Sequence, residues 1–283
     1  MGMGSDAPTV SLDLLARAEN LTLVRGMLGG VGELLTMDPE LLDDVKTAVS
    51  EACNNVVLHA YQGEPGPLSV NLYAHGDELS VSVCDEGEGL VYAGPSDDRI
   101  AGIGMPVIQA LASETEFRPR AEGGTEVWMS FAGRRDGRQL FSDPEVPVPG
   151  DGWTDGLSGD ALVSLSPVAL LGGVLGRLTR ALAASARFSL DRFSDVYLVT
   201  DAVAALAQRA AAGARIGFCL EGGARRIEML VGPFRSGTGE LLSGEDPVVG
   251  SRSPLALLTD QLLTEPQREG GERLRLAMSD ARP

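Results

Sequence analysis

Three side chains that could do chemistry stand four residues apart in the run Glu51-Ala-Cys-Asn-Asn-Val-Val-Leu-His59. Residues at this spacing stack along one side of an α-helix, so Glu51, Asn55 and His59 are expected on one helix face. A carboxylate can accept a proton, and an amide oxygen can ligate Mg²⁺. A solvated polar stripe on a surface helix has the same pattern, so this run alone favours neither interpretation.

A second segment, Asp85-Glu-Gly-Glu-Gly89, follows an alternating apolar strand that ends at Cys84. A carboxylate fixed at a strand end can accept a hydrogen bond from an exocyclic amine. The glycines, Gly87 and Gly89, let the backbone approach a flat ring closely. By itself the motif is weak, because Gly-rich turns often follow strands.

Two more glycine-rich segments follow. Gly102-Ile-Gly-Met-Pro106 opens a helix, where free N–H groups can bind phosphate, and Arg99 could reach the same phosphate. Gly123-Gly-Thr125 is a tight turn with a hydroxyl beside it. Each feature also has an ordinary interpretation. Residues 102–106 could simply be a helix start with Pro in its first turn, Arg99 a solvated side chain, and residues 123–125 a hairpin turn.

Taken together and in this order, the four segments resemble the ATP-binding boxes of the GHKL superfamily, which covers DNA gyrase, a class of large heat-shock chaperones, histidine kinases and mismatch-repair ATPases. The closest likeness is to the bacterial anti-sigma factor serine/threonine kinases, through residues 50–61, residues 102–111 and the helix with Val24-Arg25. The resemblance covers about residues 9–133. It implies an α+β fold, a two-layer α/β sandwich with helices on a mixed sheet, and ATP and Mg²⁺ as cofactors.

The resemblance also implies a role for each matched residue. Glu51 would be the general base that deprotonates a substrate serine, and Asn55 would bind the Mg²⁺ that bridges the triphosphate. Asp85 would read the adenine amino group with support from Thr125, and His59 would contact nucleotide or pack. The other matched positions would contact the nucleotide or form the lid over its phosphates: Gly87, Gly89, Arg99, Gly102, Ile103, Gly104, Met105 and Gly124.

The chain is expected to contain a second, degenerate copy of this domain. After a Pro/Gly/Asp-rich linker at 134–160, five segments of residues 161–280 echo the first block in the same order, at offsets of 147 to 153. Matching Ser50-Glu-Ala to Thr200-Asp-Ala places Asp201 at Glu51 and Ala205 at Asn55. The other matches are Pro233 for Asp85, Arg235 for Gly87, Arg252 for Gly104 and Glu272 for Thr125. The second block is therefore predicted not to bind ATP, unless the two blocks are unrelated domains with similar patterning.

Composition limits the partners. The net charge of −17 argues against direct nucleic-acid binding. Three scattered cysteines indicate neither a disulfide framework nor a metal site and favour a reducing cytosol. Residues 168–184 are apolar but are interrupted by Arg177 and Arg180, so they are predicted to form a core helix, not a membrane span. A cytoplasmic protein without a membrane partner is expected.

The predicted function is an ATP- and Mg²⁺-dependent anti-sigma factor. It would phosphorylate a STAS-type anti-anti-sigma protein, sequester a sigma factor, and work as a homodimer or an internal pseudo-dimer. A histidine kinase is disfavoured because the only histidines are His59 and His75. Two alternatives stay open: a non-catalytic ATP-binding regulator that switches partner binding through its lid, and a structural domain that binds no nucleotide.

Overall fold

The computed structural model describes residues 7–75, 78–87, 104–132, 157–243, 253–267 and 270–280. The chain divides into two compact units, Met1–Pro147 and Val148–Pro283. The finer domain bounds, 9–133 and 161–280, stay predictions, and most of the predicted linker at 134–160 lies outside the described residues.

The first unit is a five-stranded sheet covered by helices. Its strands lie in the order β4-β5-β3-β2-β1, and each described ladder is antiparallel. Its elements are β1 (Val10–Leu15), a 3₁₀ turn (Ala18–Asn20), α1 (Leu21–Leu34), α2 (Pro39–Asn55), a π-helical segment (Val56–Ala60), β2 (Pro67–His75), β3 (Glu78–Asp85), α3 (Gly104–Leu111), β4 (Glu114–Pro119) and β5 (Thr125–Ala132).

The core of this unit lies between the sheet and α2. Along β3, the apolar residues Leu79, Val81 and Val83 alternate with Ser80 and Ser82, and both sets are buried because β3 is a central strand. Helix α2 packs against β3 and β5. The predicted two-layer sandwich is confirmed. The expectation of a mixed sheet needs correction, because adjacent described strands run in opposite directions, starting with the β2–β3 hairpin.

The second unit has the same order of strands, but two helices lie between β8 and β9 where the described part of the first unit has α3 alone. Its sheet runs β6-β7-β8-β10-β9 with antiparallel ladders. Its elements are β6 (Ala161–Leu165), a 3₁₀ turn (Val168–Leu170), α4 (Leu171–Ser185), α5 (Leu190–Ala210), β7 (Ile216–Gly223), β8 (Arg226–Phe234), α6 (Thr238–Ser243), α7 (Pro254–Leu258), β9 (Gln261–Pro266) and β10 (Glu272–Ser279).

The turn between the first two helices recurs in both units. In the first, Thr36 has φ 46° and Met37 N–H donates to Gly32 O at 3.0 Å. In the second, Arg187 has φ 58° and Phe188 N–H donates to Ala183 O at the same distance. These bonds form the same helix-ending motif with a left-handed residue. Each following helix then begins at a side-chain cap, Asp38 for α2 and Ser189 for α5.

This shared turn sets the register between α2 and α5 at 151 residues. The burial pattern supports this register, because the fully buried Val45 and Val49 of α2 then match the buried Val196 and Thr200 of α5. Ala202 and Leu206 therefore take the places of Glu51 and Asn55. The sequence-based match of Asp201 and Ala205 to these positions was wrong by one residue, and Asp201 is exposed.

One helical stretch among the described residues, Val168–Ser185, is long and apolar enough to cross a membrane by length and composition. Half of it is buried inside the protein. Its helix α4 packs against α5, β7 and β8, so it contributes to the core of the second unit.

Asp280 ties three parts of the second unit together. Its carboxylate accepts the N–H of Ser189 at the start of α5 and pairs with Arg225 at 3.2 Å. The Ser189 N–H, followed by the Ser189 hydroxyl and the Arg225 guanidinium, lowers the pKa of Asp280 from 3.8 to about 2. A carboxyl whose pKa is lower in the folded state stabilises the fold above its unfolded pKa.

We expect Asp280→Asn to lower the melting temperature above about pH 4. The deficit should shrink as the pH falls from about 4 towards about 2, because the wild-type carboxylate is then protonated as well. Thermal melts of both proteins between pH 7 and pH 2.5 measure this. Asp43→Asn, which removes an exposed carboxylate 3.7 Å from Lys46, is the control with little expected effect. A constant deficit at all pH values would contradict the assignment.

Candidate functional site

The carboxylate and the amide of the α2 motif lie against the first residue of α3. A Cβ placed on Gly104 would be 3.1 Å from Glu51 Oε2 and 3.3 Å from Asn55 Oδ1. Both side chains are partly exposed, and neither has a hydrogen-bond partner among the described residues. A carboxylate and an amide that bond to no other described residue therefore lie together beside the start of a helix.

His59 differs from the other two members of the predicted stripe. Regular α-helical spacing ends at Asn55, because Val56–Ala60 is π-helical. The expected stacking of His59 on the same face assumed α-helical geometry, which does not hold here. His59 is exposed. Its contact with a nucleotide stays a prediction.

Asp85 is buried at the end of β3, with 2% of its surface exposed. Gly87 N–H donates to Asp85 Oδ1 at 2.9 Å, and the backbone N–H of Thr125 donates as well. Burial raises the pKa of Asp85, and the two N–H donors and the charge of Arg120 only partly oppose this. The carboxylate is therefore fixed in direction but incompletely compensated, which suits it to accept a further donor.

Two glycines permit the tight packing around Asp85. A Cβ on Gly87 would be 2.1 Å from Ala60 O at the end of the π-helical segment. A Cβ on Gly124 would be 2.0 Å from Asp85 O, and Gly124 has φ +86°. Only glycine combines this backbone conformation with so close an approach. The turn before β5 is thus built against the backbone of Asp85.

Two residues that the sequence motifs did not indicate also hold this region. Tyr61 Oη accepts the N–H of Glu86 at 2.7 Å, and Arg120 donates to Asp85 O at 3.0 Å. Tyr61 lies two residues after His59, and Arg120 lies three residues before Gly123. Their nearness in sequence to two predicted motifs is the signal that could have identified them.

The remaining predicted residues fall into two groups. Met105 is in the first turn of α3 and is partly exposed, while Thr125 begins β5 and is buried. The other group lies outside the described residues and consists of Gly89, Arg99, Gly102 and Ile103.

The donor set fits a magnesium nucleotide better than a resident metal ion. The described residues contain no group of three or more His, Cys, Asp or Glu side chains that could hold a metal. Mg²⁺ commonly takes one or two protein oxygens together with waters and substrate phosphates. Asn55 with Glu51 beside it fits that mode, and the buried Asp85 fits an amine donor such as that of adenine.

The fold of the first unit is that of a GHKL-like domain. Residues 14–131 match the histidine kinase-like ATPase domain. An anti-sigma F factor of Thermoanaerobacter sp. (strain X514) is 27% identical over 130 residues, which are 43% of this chain and 91% of that protein. A serine-protein kinase RsbW of Bacillus pumilus (strain SAFR-032) is 31% identical over 144 residues, which are 45% of this chain and 88% of that protein.

A solved structure of the RsbU and RsbW domains of a Mycobacterium tuberculosis protein is 23% identical, with a TM-score of 0.34. The matched region covers 44% of this chain and 32% of the chain in that structure. The chain belongs to the family of histidine kinase-like ATPases that includes the anti-sigma F factors and the RsbW kinases, and the family match lies in its first unit.

The corresponding place in the second unit is filled by the chain itself. Gly271, with φ +95°, packs against Phe234 O as Gly124 packs against Asp85 O. Strand pairing joins Glu272, the first residue of β10, to Phe234, so the buried Phe234 stands where Asp85 does. The sequence-based match to Pro233 was wrong because β8 and β10 contain a bulge at this point. The carboxylate of Glu272 is bonded to the N–H groups of Gly237 and Gly239, at 2.7 and 2.8 Å.

We expect Gly124→Ala to destabilise the protein by more than about 2 kcal/mol. Left-handed backbone costs an alanine about 1–2 kcal/mol, and the added Cβ must also displace Asp85. Urea denaturation followed by circular dichroism measures the loss. Gly63→Ala is the matched control, since Gly63 has φ +95° but nothing within 4 Å of its Cβ position. Equal losses in both variants would show that the close approach to Asp85 carries no cost of its own.

Proposed function

We propose that this protein is an ATP- and Mg²⁺-dependent anti-sigma factor and serine-protein kinase. It phosphorylates a serine of a STAS-type anti-anti-sigma protein and sequesters a sigma factor. The observation that carries the proposal is the position of the Glu51 carboxylate beside the Asn55 amide and the start of α3. The family membership of the first unit and the names of its relatives support it.

Each residue has a part in phosphoryl transfer that its surroundings suit. Asp85 accepts the adenine amine, and Asn55 supplies an oxygen ligand for Mg²⁺. Glu51 accepts the proton of the substrate serine while the serine oxygen bonds to the γ-phosphorus. The bond from the γ-phosphorus to the bridging oxygen breaks, and ADP leaves with that oxygen. When bound, Mg²⁺ neutralises charge on the phosphates. The protein therefore contributes mainly positioning and charge.

The partners follow from chemistry and from the relatives. One relative is named an anti-sigma F factor and another a serine-protein kinase. The first unit contains 24 acidic and 9 basic residues, whereas the second contains 16 and 14. The first unit thus offers a strongly acidic surface, which suits a protein partner with a basic face. A cytoplasmic location follows from partners of this kind.

We also propose that the second unit is a degenerate copy of the first that binds no nucleotide. Its matching order of strands and its recurring turns support a common origin. Leu206 and Phe234, both buried, replace an amide and a carboxylate, and Glu272 is already bonded to backbone. The copy could take the place of a partner subunit, so the protein is either a homodimer or an internal pseudo-dimer.

Glu51→Gln tests the catalytic role. It should reduce phosphorylation of the anti-anti-sigma protein by at least about a hundredfold while ATP affinity stays within about twofold, because a general base contributes 10²–10⁴ in rate. The measurement is transfer of label from γ-labelled ATP with Mg²⁺ to the STAS-type proteins encoded nearby, alongside titration with a fluorescent ATP analogue.

Glu40→Gln serves as the control, because it removes a carboxylate from the exposed first turn of the same helix. Full transfer by the Glu51 variant, or no label on any candidate with wild type, would favour the non-catalytic regulator. If the wild-type protein does not bind the analogue, the remaining alternative is a structural domain that binds no nucleotide.

Calorimetric titration with Mg-ATP should give one site per chain, and Asp85→Asn should abolish it. Two sites, or binding that survives Asp85→Asn, would contradict the assignment of the second unit. Light scattering on the same samples reports the oligomeric state. A tight symmetric dimer through the first unit would exclude the internal pseudo-dimer.

A further inference from the structure

A single hydroxyl group joins the end of the α2 motif to the turn that holds Asp85. Tyr61 Oη accepts the N–H of Glu86 and donates to the carbonyl of Pro67 at the start of β2. Its ring occupies the space above Gly66, where a Cβ would be 2.2 Å from Cε1 of Tyr61. The carbonyl of Gly66 in turn accepts the N–H of Ala16 at 2.8 Å. Tyr61 is therefore held at both its ring and its hydroxyl.

The second unit makes the same connection without a side chain. There, Arg235 N–H donates to Ala210 O at 2.8 Å, and Ala212 N–H donates to Pro233 O at 3.0 Å. These backbone bonds fasten the end of α5 directly to the end of β8. No tyrosine is needed for this junction of the fold.

The first unit makes the corresponding connection through Tyr61. With Phe234 at the place of Asp85, Arg235 corresponds to Glu86, and the Glu86 N–H donates to Tyr61 Oη at 2.7 Å. The next N–H, that of Gly87, donates to Asp85 Oδ1 at 2.9 Å. The Tyr61 hydroxyl therefore takes the place of the helix-end carbonyl that Ala210 provides in the second unit.

The hydroxyl can make both of its bonds only while it is protonated. Burial raises the pKa of Tyr61 above its usual value of 10, with the backbone bond to Glu86 opposing the shift. The hydroxyl therefore stays protonated throughout the physiological range, as an acceptor from Glu86 and a donor to Pro67.

We propose that Tyr61 is a positioning residue that fixes the Asp85 turn for recognition of the adenine amine. This rests on the proposed function, since it assigns Asp85 to nucleotide binding. Tyr61 would act through Glu86 and Asp85 and would not touch the phosphates. Removing its hydroxyl should loosen base recognition and leave the Glu51 and Gly104 region intact.

Tyr61→Phe tests this, because phenylalanine keeps the ring over Gly66 and removes only the hydroxyl. Affinities for Mg-ATP and Mg-ITP are measured by competition against a fluorescent nucleotide. ITP has a 6-oxo group in place of the 6-amino group, so its ratio to ATP reports on the reading of the amine. We expect ATP affinity to fall about tenfold and ITP affinity less than twofold, while the turnover rate at saturating ATP is unchanged.

Tyr73→Phe is the matched control. It removes a tyrosine hydroxyl that bonds to Ser82, from a ring that packs against Trp128 with centroids 5.0 Å apart. It should change neither affinity. If the ratio of ATP affinity to ITP affinity is unchanged in Tyr61→Phe, including the case of equal losses for both nucleotides, the proposed role of Tyr61 is overturned but that of Asp85 is not. A wild-type protein without preference for ATP over ITP would overturn the adenine role of Asp85 as well.

Discussion

The burial of one carboxylate, Asp85, is the constraint on which the site depends. An ionised carboxylate costs several kcal/mol to remove from water unless hydrogen bonds and charges replace the lost hydration. Here two backbone N–H groups and the nearby Arg120 replace part of it, yet the pKa is still raised. The folded domain therefore keeps an acceptor whose electrostatic demand a donor could satisfy. Such groups mark functional sites more often than purely structural ones.

The second unit shows that the topology does not need this constraint. With Phe234 and Leu206 in place of the polar groups, it buries apolar side chains that each contribute about 2 kcal/mol. Its remaining carboxylate at this place, Glu272, is bonded to two backbone N–H groups. The same order of strands thus folds with a filled site. The fold itself does not require the polar set of the first unit, which supports the proposal that this set binds a ligand.

The sequence predicted the helix of the 51–59 motif, the helix of residues 168–184 and the strand before Asp85 because their apolar periodicity is strong. It placed Asp85 at a strand end and Gly124 in a turn because strand ends and glycine turns are local signals. Strand β4, with the sequence Glu-Thr-Glu-Phe-Arg-Pro, was missed because an exposed edge strand carries little apolar signal. Apolar periodicity also could not distinguish the π-helical segment from a continuing α-helix. The role of Tyr61 depends on Glu86, 25 residues away, which only the tertiary structure brings near.

The one-residue error in matching the two units has a specific cause. Between α2 and α5, the pair Asp44-Val45 matches Asp195-Val196 at an offset of 151, whereas Ser50-Glu-Ala matches Thr200-Asp-Ala at 150. Sequence similarity cannot choose between them, because both preserve residue type. The left-handed residues Thr36 and Arg187 can, because each fixes where its following helix begins. With that register, the second unit loses the acid as well as the amide.

Charge explains why the proposed function needs a cation. The first unit has a net charge of −15, so its long-range field repels a polyanion such as a free nucleoside triphosphate. Local groups must therefore overcome this repulsion. They are the N–H groups at the start of α3 and the oxygen of Asn55 that can hold Mg²⁺, and both act only at short range. A magnesium complex carries less negative charge and brings its own ligand for Asn55. The acidity of this unit and the single protein amide at the proposed metal position therefore both favour the magnesium complex over the free nucleotide.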